Sequence, residues 1–269
     1  MAESKYLLSN EWSEQRRRLA GIEALFDPTT LRHLASLGLG PGWNCLELGG
    51  GGGSVARWMA EHVGQSGSVL ATDLDTRFLD EIDLPNVEVL AHDIQTEPLD
   101  RNFDLIHARL VLEHLPERVE VLAKLIEALV PGGWLLIEVG DNTINRHLPA
   151  ARQFALPARM RSPWRRFFRA VEALGAQAGG DWELGRVLPS LMTNAGLVDI
   201  DAEMSSKLVV GGSTRAGFYE FSARQIADAC VATGFVTQQD VDVLLDTYTD
   251  PRTMFMSTTV VAAWGRRAS

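Results

Sequence analysis

The sequence predicts an α/β protein with a parallel sheet, on three observations. Short apolar runs alternate with amphipathic helical stretches between residues 43 and 139. A glycine turn, Gly49 to Gly53, joins the first run to the helix after it. Acids at Glu47, Asp73 and Asp93 fall at or near the ends of three runs. Strands alternating with helices build crossover units, and those build a parallel sheet.

Residues 10 to 38 read as helical, with a break expected at Asp27-Pro28 because proline starts helices better than it continues them. "WNCLEL" is the first strand. "SVARWMAEHV" follows as a helix, with Val55, Met59 and Val63 on one face and Ala56 and Ala60 beside it. "SVLATD" is the second strand, and "TRFLDEI" is read as a helix. "NVEVLAHD" alternates as the third strand, and "FDLIHA" is the fourth. "ERVEVLAKLIEALV" is an amphipathic helix punctuated by Pro131-Gly132-Gly133, and "WLLIEV" is the fifth strand.

Past Gly140 the rhythm changes. Residues 141 to 180 hold an Arg-rich helical stretch with Trp164, Phe167, Phe168, Val171 and Leu174 on one face. "LGRVLPSLMTNAG" is a helix closed by Gly196, and "LVDIDAEM" is strand-like. Residues 211 to 250 are helical, with Ser222 a candidate cap and Thr237 with Asp240 a candidate capping box. "MFMSTTVVAAW", rich in β-branched residues, is the last strand.

The chain has 269 residues, a hydrophobic fraction of 46% and a charged fraction of 22%, ordinary for a globular protein with a substantial core. Its net charge of -10 argues against non-specific nucleic-acid binding, which depends on basic side chains neutralising phosphates. Two cysteines, Cys45 and Cys230, make neither a disulfide framework nor a metal cluster. His33, His62, His92, His107 and His147 show no metal-ligand spacing. No apolar run reaches the ~20 residues of a membrane span, and the N-terminus has no signal-peptide core. A cytoplasmic protein is expected, with its oligomeric state open and a homodimer one option.

Five consecutive glycines cost much backbone entropy and need a reason. Strong strand and helix signals flank them, so a flexible linker does not fit. A phosphate-binding loop needs Lys-Ser/Thr after its last glycine, and Ser54-Val55 stands there instead. The dinucleotide frame G-x-G-x-x-G puts Ser54 or Val55 at its third glycine. The frame that fits is an acid with spaced glycines, Glu47-x-Gly49-x-Gly51-x-Gly53.

In that frame, and in "SVLATDLD", "AHDIQ", "FDLIHARLVLEHLPE" and "LVPGGWLLIEV" after it, the chain resembles the class I S-adenosylmethionine-dependent methyltransferases. The resemblance covers residues 40 to 140 well and the rest more loosely. It implies a Rossmann-like sandwich on a mostly parallel seven-stranded sheet with an antiparallel last strand. It also implies an N-terminal helical cap over 1–40 and a methyltransferase domain over 41–269, with lid insertions at about 141–180 and 205–250. S-adenosyl-L-methionine is the implied cofactor, held by Glu47, Gly49, Gly51 and Gly53. Asp73 would accept from the ribose and Leu74 would pack on the adenine. Asp93 and Ile94 would reach the adenine edge, and Ala108 the methionine moiety. The whole chain is most similar to bacterial methyltransferases of quinone biosynthesis and natural-product tailoring, which implies a small-molecule acceptor.

Plainer readings stand beside these. Glu47 can be a charge partner for the following helix, Asp73 and Asp93 can be turn formers, and Asp75 can be a helix cap. Arg109 and Glu113, four apart, read equally as an ion pair and as substrate contacts. His114 is the best-placed histidine for a general base, and a structural role competes with it. Trp164 and Tyr219 are candidates for the acceptor pocket. Arg161 to Arg169 read first as the solvated face of a helix, then as a grip for an anionic acceptor; Arg16 to Arg18 read as exposed. Two other functions remain open: an NAD(P)-dependent oxidoreductase, and a protein that binds S-adenosylmethionine without methylating.

Overall fold

The computed structural model describes residues 12–141 and 160–269. The start of the first expected helix, residues 142–159 of the Arg-rich stretch and His147 lie outside them. The chain divides into two compact units. One, the sheet unit, comprises Asp27–Gly140, Glu183–Ser205 and Val260–Ser269. The other, the helical unit, comprises Met1–Phe26, Asp141–Trp182 and Ser206–Thr259.

The sheet unit is built on seven strands: β1 (Asn44–Leu48), β2 (Ser68–Asp73), β3 (Val87–Ala91), β4 (Phe103–Arg109), β5 (Leu129–Asp141), β6 (Leu197–Ser205) and β9 (Thr259–Arg267), in the order β3-β2-β1-β4-β5-β9-β6. β1 to β5 pair in parallel, and β9 pairs antiparallel with β6. This is the mostly parallel seven-stranded sheet expected. Helix α2 (Ser54–Val63) buries Val55, Ala56, Met59, Ala60 and Val63, the face its periodicity marks. α3 (Arg118–Glu127) buries Val121, Leu122 and Leu125. Leu46, Ile106 and Leu135 sit fully buried in the central strands, each contributing ~1.5–3 kcal/mol of burial free energy.

Several expectations need correction. Pro28 does not end the first helix: α1 runs unbroken from Gln15 to Ser36. Proline cannot donate to the carbonyl four residues back, and that oxygen, on Ala24, accepts from Arg215 Nε at 3.1 Å instead. "TRFLDEI" forms only one turn, closed by Asp80 N to Thr76 O at 2.8 Å. The Asp75 carboxylate accepts from the Arg77 backbone N–H, a local bond that competes with helix growth. Pro131-Gly132-Gly133 lies inside β5 as a bulge, because pairing steps from Phe103↔Leu129 to Leu105↔Trp134. The last strand is two, as described next.

In the helical unit β7 (Leu208–Val210) and β8 (Met254–Met256) form their own antiparallel pair. The run stops at Ser257 and Thr258, where the Thr258 N–H donates to the Tyr219 hydroxyl at 2.6 Å. Helices α4 (Arg161–Gln177), α6 (Thr214–Ala232) and α7 (Gln238–Thr249) belong to this unit, and α5 (Leu184–Asn194) to the sheet unit. Gly196, at φ +91°, follows α5 as expected. Thr237 and Asp240 form the capping box of α7. Ser222 caps nothing: it lies within α6 and accepts from Arg18 Nε at 3.0 Å, while Ser213 is the cap. Arg18 is therefore buried, unlike Arg16 and Arg17. On α4, Arg161, Arg165, Arg166 and Arg169 are all exposed, as an amphipathic helix requires.

Candidate functional site

The C-terminal ends of β1, β2 and β4 set the site. Gly49, Gly51 and Gly53 take φ of +71°, +54° and +84°, a left-handed alternation that side chains resist. A Cβ at Gly50 would lie 2.9 Å from a terminal methyl of Leu79, so that side chain would have to shift to admit it. The single turn after β2 thus packs beneath the loop. A Cβ at Gly49 would lie 2.4 Å from Val111, and one at Gly53 2.9 Å from Ile82.

The loop's amides point into the protein. Gly49 N and Gly50 N both donate to Thr72 O, at 2.8 and 2.9 Å. Gly51 N donates to Asp73 Oδ2 at 3.0 Å, and Gly53 N to Gly50 O at 2.9 Å. A phosphate cradle needs such amides directed at the ligand. Here four of the five already have internal acceptors.

Asp73 ends β2 and also accepts from Asp75 N at 3.3 Å. Burial raises its pKa above the usual carboxylate range against these hydrogen bonds. Beside it Leu74 is 64% exposed, an apolar side chain held in solvent next to an acid. Asp93 accepts from Gln95 N at 3.0 Å in a local turn. Ile94 is buried, and its carbonyl accepts from Lys124 Nζ at 2.5 Å. Ala108 is fully buried in the core on β4.

Glu47 is buried at the end of β1, and the imidazole of His107 on β4 donates to it from Nδ1 at 2.6 Å. The two residues stand opposite each other in the β1–β4 register. His107 Nε2 donates to Glu138 Oε2 on β5 at 3.3 Å. Glu138 in turn accepts from Thr30 Oγ1 and, at 3.2 Å, from His33 Nδ1. Burial lowers the His107 pKa, but the two carboxylates outweigh it and hold the group at about 9. Burial raises Glu138, but hydrogen bonds from His107 and His33 bring it well below the carboxylate range. Sequence reading passed over this chain. Its signal was an acid in "CLEL", a histidine in "FDLIHA" and an acid in "WLLIEV": ionisable groups inside buried runs must find one another.

Arg109 and Glu113 do not pair. Arg109 donates to Asp27 Oδ1 and to Thr30 Oγ1, both at 2.8 Å. Glu113 is fully buried and accepts from Gly140 N at 2.9 Å; burial, opposed by that bond, pushes its pKa up to about 7. His114 closes a 3₁₀ turn, Leu112–His114, after β4 and is half-buried. Trp164 and Tyr219 belong to the helical unit's aromatic interior, with ring centroids 6.0 and 5.0 Å from Phe255.

Residues 9–239 match the model of a family described as a methyltransferase domain. The chain is 31% identical over 137 residues to methyltransferase str3 of Strobilurus tenacellus, covering 48% of this chain and 45% of that one. It is 32% identical over 114 residues to the ubiquinone/menaquinone biosynthesis C-methyltransferase UbiE of Laribacter hongkongensis, covering 39% and 46%. It thus spans less than half the length of these relatives. Among solved structures it is similar in fold to a phosphoethanolamine N-methyltransferase 2 of Haemonchus contortus, bound to phosphomonomethylethanolamine and S-adenosylhomocysteine. That likeness has a TM-score of 0.56 at 16% identity and covers 90% of this chain and 53% of that one.

Proposed function

The chain belongs to the methyltransferase-domain family, and on that premise we propose that it is an S-adenosylmethionine-dependent methyltransferase acting on a small molecule. The observation that carries this reading is the glycine loop. Its amides are engaged inward and its surroundings are acidic, which suits a cationic ligand better than a pyrophosphate. The glycines at Gly49, Gly50 and Gly53 let the loop pack closely on Val111, Leu79 and Ile82, which fixes its backbone at the strand ends. Bound there, S-adenosylmethionine supplies an already activated methyl group on a sulfonium.

The chain's own residues then bind and orient. The Asp73 carboxylate accepts from the ribose hydroxyls, and exposed Leu74 offers the adenine an apolar face. Asp93 and Ile94 serve the adenine edge. Glu47 contributes negative charge beneath the loop. His114 removes a proton from acceptors that need it. A carbon nucleophile or a free amine does not, so alignment and exclusion of water carry most of the rate.

A small-molecule acceptor, methylated at oxygen, nitrogen or carbon in quinone or secondary metabolism, is supported by the names of the UbiE and str3 relatives. Calorimetry tests the reading. S-adenosylhomocysteine should bind the wild type, and Asp73→Ala should weaken binding at least about tenfold, the loss of one charged acceptor. Binding of NAD(H) without S-adenosylhomocysteine would overturn it.

A further inference from the structure

The methyl-transfer reading leaves His107 and Glu138, buried behind Glu47, without a task. We propose that His107 is a positioning residue of the cofactor site, an imidazolium that bridges Glu47 and Glu138 and fixes the Glu47 carboxylate beneath the glycine loop. The proposal rests on reading that loop as the S-adenosylmethionine site.

Geometry assigns the protonation. Nδ1 of His107 faces Glu47 Oε2 at 2.6 Å and Nε2 faces Glu138 Oε2 at 3.3 Å. Carboxylates accept, so both ring nitrogens carry hydrogen. Glu138 Oε2, the oxygen that faces the ring, already receives the Thr30 hydroxyl, and two donors converging on one oxygen suit a carboxylate. The pKa of about 9 agrees with the geometry.

Geometry also couples the bridge to the loop. Glu47 lies two residues before Gly49 on the same strand end, and its Cγ sits 3.6 Å from where a Cβ on Gly50 would stand. The charged groups around the imidazole come from every neighbouring element. Glu47 is on β1, Glu138 on β5 and Arg109 on β4, linked through Thr30 of α1. His33 of α1 adds Glu203 of β6 at 3.4 Å, itself held by Arg32 at 2.6 Å. Take one proton from His107, and two buried carboxylates face a neutral ring. The ring then keeps one N–H for two carboxylates, so Glu47 must compete with Glu138 for the donor that holds it in register, and the floor of the loop loosens.

The full chain, labelled with ¹⁵N-histidine, gives the decisive readout. The imidazole nitrogens of His107, identified by their loss in His107→Gln, should both stay in the imidazolium range through pH 8 and titrate near pH 9. S-adenosylhomocysteine affinity, measured by calorimetry, should fall over the same interval. His107→Gln should weaken binding about tenfold, flatten the pH dependence above pH 8 and leave kcat at saturation within about twofold. If that variant fails to fold, replacing the other five histidines one at a time identifies the His107 signals by elimination, and a neutral ring at pH 7 overturns the proposal. So does a wild-type affinity that stays level from pH 7 to 10. If the wild type binds no S-adenosyl ligand at any pH, the cofactor reading fails and this positioning role fails with it. The imidazolium signal would then still report the bridge alone.

Discussion

The two units of the chain keep their interiors together by different means. The sheet unit buries charge: Glu47, His107, Glu138 and His33 form one continuous chain inside an aliphatic core. The helical unit buries rings: Trp164, Tyr219, Tyr248 and Phe255 meet one another at tilted and edge-on angles. A buried ion pair depends on both partners keeping their protonation, whereas ring packing does not. The two interiors should therefore answer differently to pH.

The largest expected effect breaks that contrast from the sheet side. Glu138→Ala strips His107, His33 and Thr30 of a shared acceptor and should cost about 3–5 kcal/mol in denaturant unfolding near neutral pH. Phe255→Ala in the helical unit should cost a comparable ~3–5 kcal/mol by cavity formation. The two should part on titration. His107 has its pKa raised in the fold, so its contribution is complete below the unfolded value of ~6.5 and is lost as pH rises through about 9. Glu138 is depressed, so its contribution is present above the unfolded value of ~4.3 and is lost toward acid. Wild type and Phe255→Ala should both lose stability from pH 6.5 to 9.5. Glu138→Ala should lose much less.

Glu113→Gln sharpens the comparison with the opposite sign. Glu113 is held near pKa 7 by burial, so its favourable share exists below ~4.5 and is gone once pH passes about 7. Gln keeps an acceptor for Gly140 N–H and removes the buried charge. It should raise stability at pH 8 by on the order of 1–3 kcal/mol and change little at pH 4. Thermal melts at the two pH values read this directly. The smallest effect is in the helical unit. Thr237→Ala removes one side of the α7 capping box and should cost about 1 kcal/mol at every pH tested.

The same contrast explains what could be read in advance. Strand and helix order in the sheet unit was legible because each element carries its own period, as α2 does in Val55, Met59 and Val63. The helical unit was legible as helix and less so as detail. Ser213 and Ser222 both stand ahead of helix-forming sequence, and it is Ser213 that accepts from Ala216 N as the cap while Ser222, within the helix, accepts from Arg18. The last strand looks continuous in sequence and is cut by the hydroxyl of Tyr219, which comes from 39 residues away. At the site, the glycine frame and the strand-end acids were local patterns. The partner of Glu47 was not local, since His107 is 60 residues on and reaches it only through strand register. The Arg109–Glu113 ion pair, one of the two readings of that spacing, does not form for the same reason: each found a partner outside its own turn, Asp27 and Gly140.

The alternation of backbone handedness along Gly49, Gly51 and Gly53 has a consequence for directed evolution. A saturation library across these five codons is not five equal bets. Three positions are strained by handedness and a side chain at Gly50 must displace Leu79 at 2.9 Å, so variety introduced there mostly samples strained loops. Gly50 also lies outside the left-handed set but faces Leu79, which leaves Gly52. A screen for altered acceptor choice would gain more by leaving the other four fixed and spending its diversity there.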